Sequence, residues 1–556
     1  MTKYKNIFTC GLLLLMMSMS GCADFLDLSP TDSQTEDSFY QNRDEAFRAL
    51  MGVYEPLRSQ RLDGNHYNIG NLIFDSQSDD AYVGAKDAAD RGYMKALVRF
   101  GDSRFGDPSA SNVLALNFWT KNYGGISRAN VLLERYDQIE FKDREREDKE
   151  NFYGETLFLR AHYYYELLRV YENIPLILTQ PRGDEWKEIE QATPAQAYAQ
   201  VTSDMLQAID MMAPTMGGGN LGRLTQWAAK AELLKMYMFY TGYYQSAELP
   251  TLEGPAFTKA DAIALAEDII NNSGARLEPE FKDIFTEKGN FGMETLFEIP
   301  FSDTGISGAW RDDALGNFLC TMAGPRDFTA SQNVIRDGWG HNIPSHELVD
   351  LFTADDKRSS ATFITADSLI NEAVASGSSI SPRNMMSVGY NNTGYFSFKY
   401  TSHYEFQTDV DHRFNYAQNI HYIRFADVLL MAAELNLDAN SAKSVQYVNM
   451  VRNRAGLDNL TSVDLDAIYL ERRKELAMEG HRYFDVLRRG LDYADQQLTV
   501  TSYTLREPSM AGVPSTGDGG IADDFLVTFD QSKRGFWPIP QQERDLNPKL
   551  NQNPGW

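Results

Sequence analysis

The stretch FYGETLFLRAHYYYELLRVY, residues 152–171, carries apolar residues at Leu157, Ala161, Tyr164, Leu168 and Tyr171. Three- and four-residue spacing of this kind puts one apolar stripe along a helix, to be buried against a neighbouring helix. Residues 225–244 repeat the pattern through Ala228, Ala231, Leu234, Met238 and Phe239, and residues 423–437 through Ala426, Leu430, Ala433 and Leu437. Small residues within the stripes let helices approach closely, and short turns join them in pairs. The pattern predicts a mostly α fold of tetratricopeptide-like helix-turn-helix repeats, uneven in length and without a clean ~34-residue period.

Helical periodicity occupies two regions, from about Ser38 to Asn272 and from Asn419 to Asp495. Between them, Thr295–Phe301 and Tyr395–Tyr400 read as short strands. Around these strands, residues 305–340 and 376–393 are rich in Gly, Ser, Asn and Asp, and a further loop spans 507–524. Long loops in a compact protein are usually functional. The expected organisation is a 38–294 N-terminal helical region, a 295–418 loop-rich ligand-face insert bearing the short strands, and a 419–556 C-terminal helical region. All three form one continuous body.

The remaining N-terminal residues concern destination. Lys3 and Lys5 precede an apolar run from Ile7 to Met19, followed by Ser20, Gly21 and Cys22. The run is shorter than the ~20 residues of a membrane-spanning helix, and a basic start, apolar middle and small-residue end make a secretory signal. Small residues directly before a cysteine resemble the bacterial lipobox, so 1–21 is expected to be removed, Cys22 to be lipidated, and 22–37 to be a tether. Cys10 leaves with the signal, and Cys320 then has no disulfide partner.

Composition narrows the function classes. The 556 residues hold 52 Lys plus Arg against 78 Asp plus Glu, a formal charge of −26, which repels nucleic acid. The 31 Phe, 29 Tyr and 7 Trp supply far too much buriable surface for a disordered chain.

No catalytic constellation emerges. Gly217, Gly219 and Gly222 satisfy a dinucleotide-type spacing, but the preceding residues 204–212 read as helix, where that motif needs a strand. The eight histidines form no zinc-ligand spacing, so neither metal nor cofactor is expected. Residues 305–308 fail as a nucleophile elbow, because Ala309 stands where glycine is required. The acidic doublets Asp79-Asp80, Asp312-Asp313 and Asp355-Asp356 are expected to be solvated loop charges. Instead, Trp310, Trp339, Tyr82 and Tyr93 stand out as rings in Gly/Asp-rich segments. A flat ring there suits the C–H face of a sugar or a peptide side chain, or simply pins its loop.

Several ordered blocks carry a family resemblance. They are Asp24-Phe25-Leu26-Asp27 with Ser38-Phe39-Tyr40; Phe158-Leu159-Arg160-Ala161-His162-Tyr163-Tyr164; and Gly222-Arg223 with Ala228-Ala229. Then come Tyr422 to Leu430, Val451 to Leu457, Glu471 to Leu476, Glu479 to Asp485, and the closing Pro538-Ile539-Pro540, Asn547-Pro548 and Gln552 to Trp556. Together they resemble the SusD/RagB family of Bacteroidetes outer-membrane lipoproteins. Arg424, Arg452, Arg473 and Arg482, beside Asp427, Glu475, Glu479 and Asp485, read as buried arginine–carboxylate pairs of the scaffold.

The resemblance implies a non-enzymatic, cell-surface lipoprotein of the outer membrane with four tetratricopeptide-like helix pairs. Such a protein captures oligosaccharide and delivers it to a SusC-like TonB-dependent transporter. A peptide-binding lid and, less in keeping, an extracellular glycosidase are the alternatives. It implies ligand-binding roles for Trp339, in Asp337-Gly338-Trp339, for Trp310 and for Tyr82. Arg91 and Asn317, which flank these rings, are the expected polar contacts.

Overall fold

The computed structural model describes residues 39–62, 66–67, 70–102, 104, 111–304, 315–328, 335–378, 389–406, 415–503 and 525–556. The expected signal, tether and Cys22 lie outside these residues, as do Trp310, Asp312-Asp313 and residues 305–308.

Helix starts follow local chemistry. Asn42 accepts from the backbone of Asp44 and Glu45 to open Arg43–Arg58. Thr193 and Gln196 cap each other reciprocally around Pro194, and Thr258 with Asp261 does the same for Lys259–Asn272. Four helix pairs result: Arg43–Arg58 with Ser111–Arg135, Arg146–Tyr171 with Pro194–Met211, Gln226–Tyr244 with Lys259–Asn272, and Phe425–Ala439 with Ser441–Arg454. Each pair packs on the next in chain order. Lys259–Asn272 lies directly against Phe425–Ala439, so the intervening insert loops out of an unbroken stack. The fold is mostly α, with tetratricopeptide-like pairs and short strands, as the periodicity indicates.

The helix carrying residues 152–171 departs from the one-faced stripe. Nearly every residue from Asn151 to Tyr171 is buried, including those that looked polar. Several of these polar groups find partners on neighbouring elements. Arg160 grips Asp204 through two bonds of 2.7 and 2.9 Å, and His162 Nδ1 lies 2.7 Å from Glu232. The Tyr163 and Tyr164 hydroxyls donate to the carbonyls of Val53 and Ile177, each at 2.6 Å. A β-carbon on Gly125 would fall 2.3 Å from the Tyr163 ring, which sets how closely Ser111–Arg135 can approach. This helix is the axis of the stack rather than one of its outer members.

The two ends of the insert meet. Thr295–Ile299 pairs antiparallel with Ile420–Arg424, placing Arg424 at the head of the Phe425–Ala439 helix. Around Arg424 lies a buried ionic cluster. Its guanidinium donates to Glu479 at 2.8 and 2.7 Å and to Glu475 at 3.0 Å, and it also binds Glu294. Arg454 shares Glu294 and Glu475, while Arg358 reaches Asp356, Glu471 and Glu475. Lys399 completes it, 2.6 Å from Glu479. Burial alone would raise the Glu479 carboxyl, but Arg424 and Lys399 outweigh it and hold it at about 2.

Two acidic doublets need correction. Asp79 and Asp80 are not solvated loop charges: Arg482 binds Asp79 at 2.8 and 3.0 Å, and Arg473 binds Asp80 at 2.7 Å. Asp356 is buried against Arg358, whereas its neighbour Asp355 is exposed. The partners of Asp79 and Asp80 lie hundreds of residues away in sequence, which is why doublet spacing alone misleads there; Asp356 meets Arg358 two residues on. Arg424 and Arg482 are in buried pairs as expected, Arg473 is in a partly buried one, and Arg452 pairs with Glu471 at 3.0 Å. Among the described residues, no helix is long and apolar enough to cross a membrane.

Candidate binding face

Asp337-Gly338-Trp339 runs beside residues 324–326, joined by a parallel bridge between Arg326 and Gly338. Gly338 N donates to Pro325 O at 2.8 Å, Trp339 N to Thr321 O at 2.9 Å, and Gly340 N to Gly324 O at 2.9 Å. The two segments touch backbone to backbone, since a β-carbon on Gly338 would fall 2.4 Å from Gly324 Cα. Only glycine fits there. Beyond Gly340 the chain enters His341–Pro344, which pairs with Ala81–Gly84. Ala85 N then donates to Gly340 O, and Ala85 O accepts from Tyr390 N, both at 2.9 Å.

Four non-glycine residues of this layered loop structure hold left-handed backbone: Ala85 at φ 108°, Arg91 at 57°, Asp327 at 50° and Asn342 at 54°. Each is costly, and such residues gather where a surface is shaped for a task.

On this base the Trp339 ring stands half-buried. One edge packs on Phe318, at 5.1 Å and 84°. The Arg91 guanidinium carbon lies 5.6 Å from the Trp339 ring centroid, and Arg91 also lies 3.6 Å from Asp90. Arg326 donates to Trp339 O at 3.1 Å, fixing the segment from below. Nearby, Arg336 lies over the Tyr404 ring at 4.3 Å, and Asp327 and Asp337 are exposed. His341 sits beneath, fully enclosed; burial drives its pKa down to about 3, so it stays neutral. Among the described residues the face offers one indole, three guanidinium groups and exposed carboxylates, and no nucleophile with an adjacent base. Among the described residues, no group of three or more His, Cys, Asp or Glu is placed to hold a metal ion.

The structure brings Trp339 and Arg91 together and buries Tyr82 and Asn317. Tyr82 lies in Ala81–Gly84, buried in a different aromatic cluster, edge-on to Phe525 at 4.9 Å. It borders a cavity of about 440 Å³ shared with Arg99, Glu347 and Tyr503, away from the indole. Asn317 is completely buried. Its Oδ1 accepts from Gln60 Nε2 at 3.0 Å and from Leu319 N at 3.1 Å, and its Nδ2 donates to Gln418 O at 3.0 Å. Asn317 thus caps the Phe318–Ala323 helix and is no surface contact. Tyr93 opens the Gly92–Val98 helix, half-buried on the main core. Trp310 lies outside the described residues; on either side of its segment, Ser302 N donates to Leu315 O at 2.9 Å. Arg326, which the sequence did not single out, meets Trp339 only through the fold.

Stack and face together define a helical-repeat scaffold that presents a ring-bearing loop surface. Residues 293–556 match the family model described as "SusD family", and residues 24–238 match one described as "Starch-binding associating with outer membrane". The chain belongs to the SusD family. It is 25% identical to SusD-like protein P2 of Formosa agariphila, over 100% of both chains. Among solved structures it resembles a laminarin-binding SusD-like protein at 27% identity and a TM-score of 0.73, covering 93% of this chain and 100% of that one. Surface glycan-binding protein A from Bacteroides thetaiotaomicron, in complex with laminarihexaose, shares the fold at 23% identity and a TM-score of 0.75, covering 92% and 100%.

Proposed function

We propose that this chain is a surface glycan-binding lipoprotein that captures oligosaccharide on the Trp339 face without cleaving it. The carrying observation is the Trp339 indole, held by glycine-only backbone contacts with Arg91 beside its ring. A sugar's C–H face stacks on an indole, while guanidinium and carboxylate groups hydrogen-bond its hydroxyls. Trp310 belongs to the same proposal. The laminarin-binding relative supports a glucan as first candidate. Affinity is modest, since an open face excludes little water and the ligand has to leave again.

Lipidation at Cys22 would tether the body to the outer membrane, in keeping with the family description. A SusC-like TonB-dependent transporter is the proposed recipient, as the family resemblance implies. A glycan array on the protein lacking residues 1–21, repeated with Trp339→Ala, tests the reading. The wild type should bind glucans and the variant should not. Shortened polysaccharide products would indicate a glycosidase instead, and binding of peptide pools without glycan binding would indicate peptide capture.

A further inference from the structure

A second concave site lies elsewhere on the scaffold, between the Ser111–Arg135 helix, the segment 175–189 and the Gln541–Leu546 helix. Its volume is about 360 Å³, and it shares no lining residue with the Trp339 face. Three aromatic rings line it. Trp119 and Tyr123 sit one helical turn apart with centroids at 4.8 Å, and Trp186 stands half-buried on the opposite loop. That loop is pinned to the C-terminal segment, since Asn547 Nδ2 donates to Trp186 O at 3.0 Å and to Ile189 O at 2.8 Å. The rings are thus held by tertiary structure rather than left at a loop tip.

Polar groups at the pocket have acceptor capacity to spare. The Trp119 side chain hydrogen-bonds the Glu543 carboxyl, which burial pushes upward. One indole donor leaves most of that carboxylate's capacity unused. Gln180 spends its amide protons on Ser127, donating to the carbonyl and hydroxyl oxygens at 2.8 Å each. Its amide oxygen accepts nothing among the described residues. The Thr120 hydroxyl lies at the same pocket.

An apolar side chain filling this pocket would strip water from Glu543 and Gln180 without replacing its hydrogen bonds. A sugar ring satisfies both demands, because its C–H face covers the aromatic rings and its hydroxyls supply donors. We infer that the Trp119–Tyr123–Trp186 pocket is a second saccharide site, taking a single neutral sugar residue with hydroxyls donated to Glu543 and Gln180.

Resonances of the 7 tryptophan indole N–H groups test this directly. The protein is titrated to millimolar levels with glucose, galactose, mannose and xylose, and with laminarihexaose. At least one of these sugars should shift the Trp119 and Trp186 signals saturably, in wild type and in Trp339→Ala alike. Read at Trp119, Trp186→Ala should weaken that binding about tenfold. Glu543→Gln, which keeps the pocket's shape, should weaken it several-fold. Absence of any shift at Trp119 and Trp186 overturns the site, whatever the Trp339 signal does. So do shifts caused by apolar amino-acid amides and not by sugars.

Discussion

The Arg424 cluster and the Trp339 face are both places where the regular helical stack gives way, and they are held by opposite means. Around Arg424, Glu294, Glu475 and Glu479 are fully buried against four cations, and the bonds between them fix the insert's two ends to the C-terminal helices. Around Trp339 the hold is steric and backbone-to-backbone, through Gly338 on Gly324 and Gly84 on Gly340. Dense charge marks scaffold in this protein, and close glycine contacts beneath a half-buried ring mark the proposed binding face. A reading that took charge density for a catalytic centre would look in the wrong place.

The sharpest way to break the contrast is Arg424→Met. It strands several carboxylates without their cation, and uncompensated buried charge costs about 3–5 kcal/mol. Urea denaturation should show that loss, with glycan affinity at low urea little changed. A smaller loss would mean that Arg454, Arg358 and Lys399 suffice.

Acid should weaken both regions next. His403, bridged to Ile335 under the face, is held neutral because burial lowers its pKa from 6.5 to about 4. The unfolded chain takes up a proton at 6.5 and the folded one does not, so its contribution is lost as pH falls from 6.5 through 4. That loss is on the order of 3 kcal/mol. Glu479 is depressed to about 2, so its contribution holds above 4.5 and is lost only as pH falls toward 2. His421, beside Arg424, is likewise lowered by burial from 6.5 to about 4, so unfolding stability should fall between pH 6.5 and 4 in both regions. His403→Gln should flatten the upper part of that profile.

Gly338→Ala drives a β-carbon into Gly324 and should cost about 1–3 kcal/mol while displacing the indole. Its signature is a binding loss out of proportion to the shift in unfolding midpoint. Asn317→Ala removes a helix cap and leaves the Gln60 and Gln418 groups unsatisfied, at about 1–2 kcal/mol. Affinity should not change, since Asn317 is not at the surface. A selective binding defect would restore it as a ligand contact.

The stack was legible because stripes such as Leu157–Ala161–Tyr164–Leu168 report a period directly. That the same helix is enclosed on all sides was not, because Arg160, His162 and Glu166 look like a solvated face until Asp204, Glu232 and Tyr422 are placed beside them. Trp339 was singled out by the Asp337-Gly338-Trp339 context that the family resemblance implies. Tyr82 and Asn317 are buried, which neither the place of Tyr82 after Asp79-Asp80 nor the nearness of Asn317 to a ring reveals. The contacts between Gly324 and Gly338 and between Gly84 and Gly340 depend on register between segments, which no local pattern encodes.

Calorimetric titration of laminarihexaose into wild type and Trp339→Ala, with thermal unfolding of both, bears most directly on the central claim. The expected result is binding by the wild type, a loss in the variant of at least tenfold at the face, and stability changed by no more than about 1 kcal/mol. Wild-type affinity in Trp339→Ala, or a large drop in unfolding temperature with binding intact, would show that the ring pins its loop and that the glycan is held elsewhere.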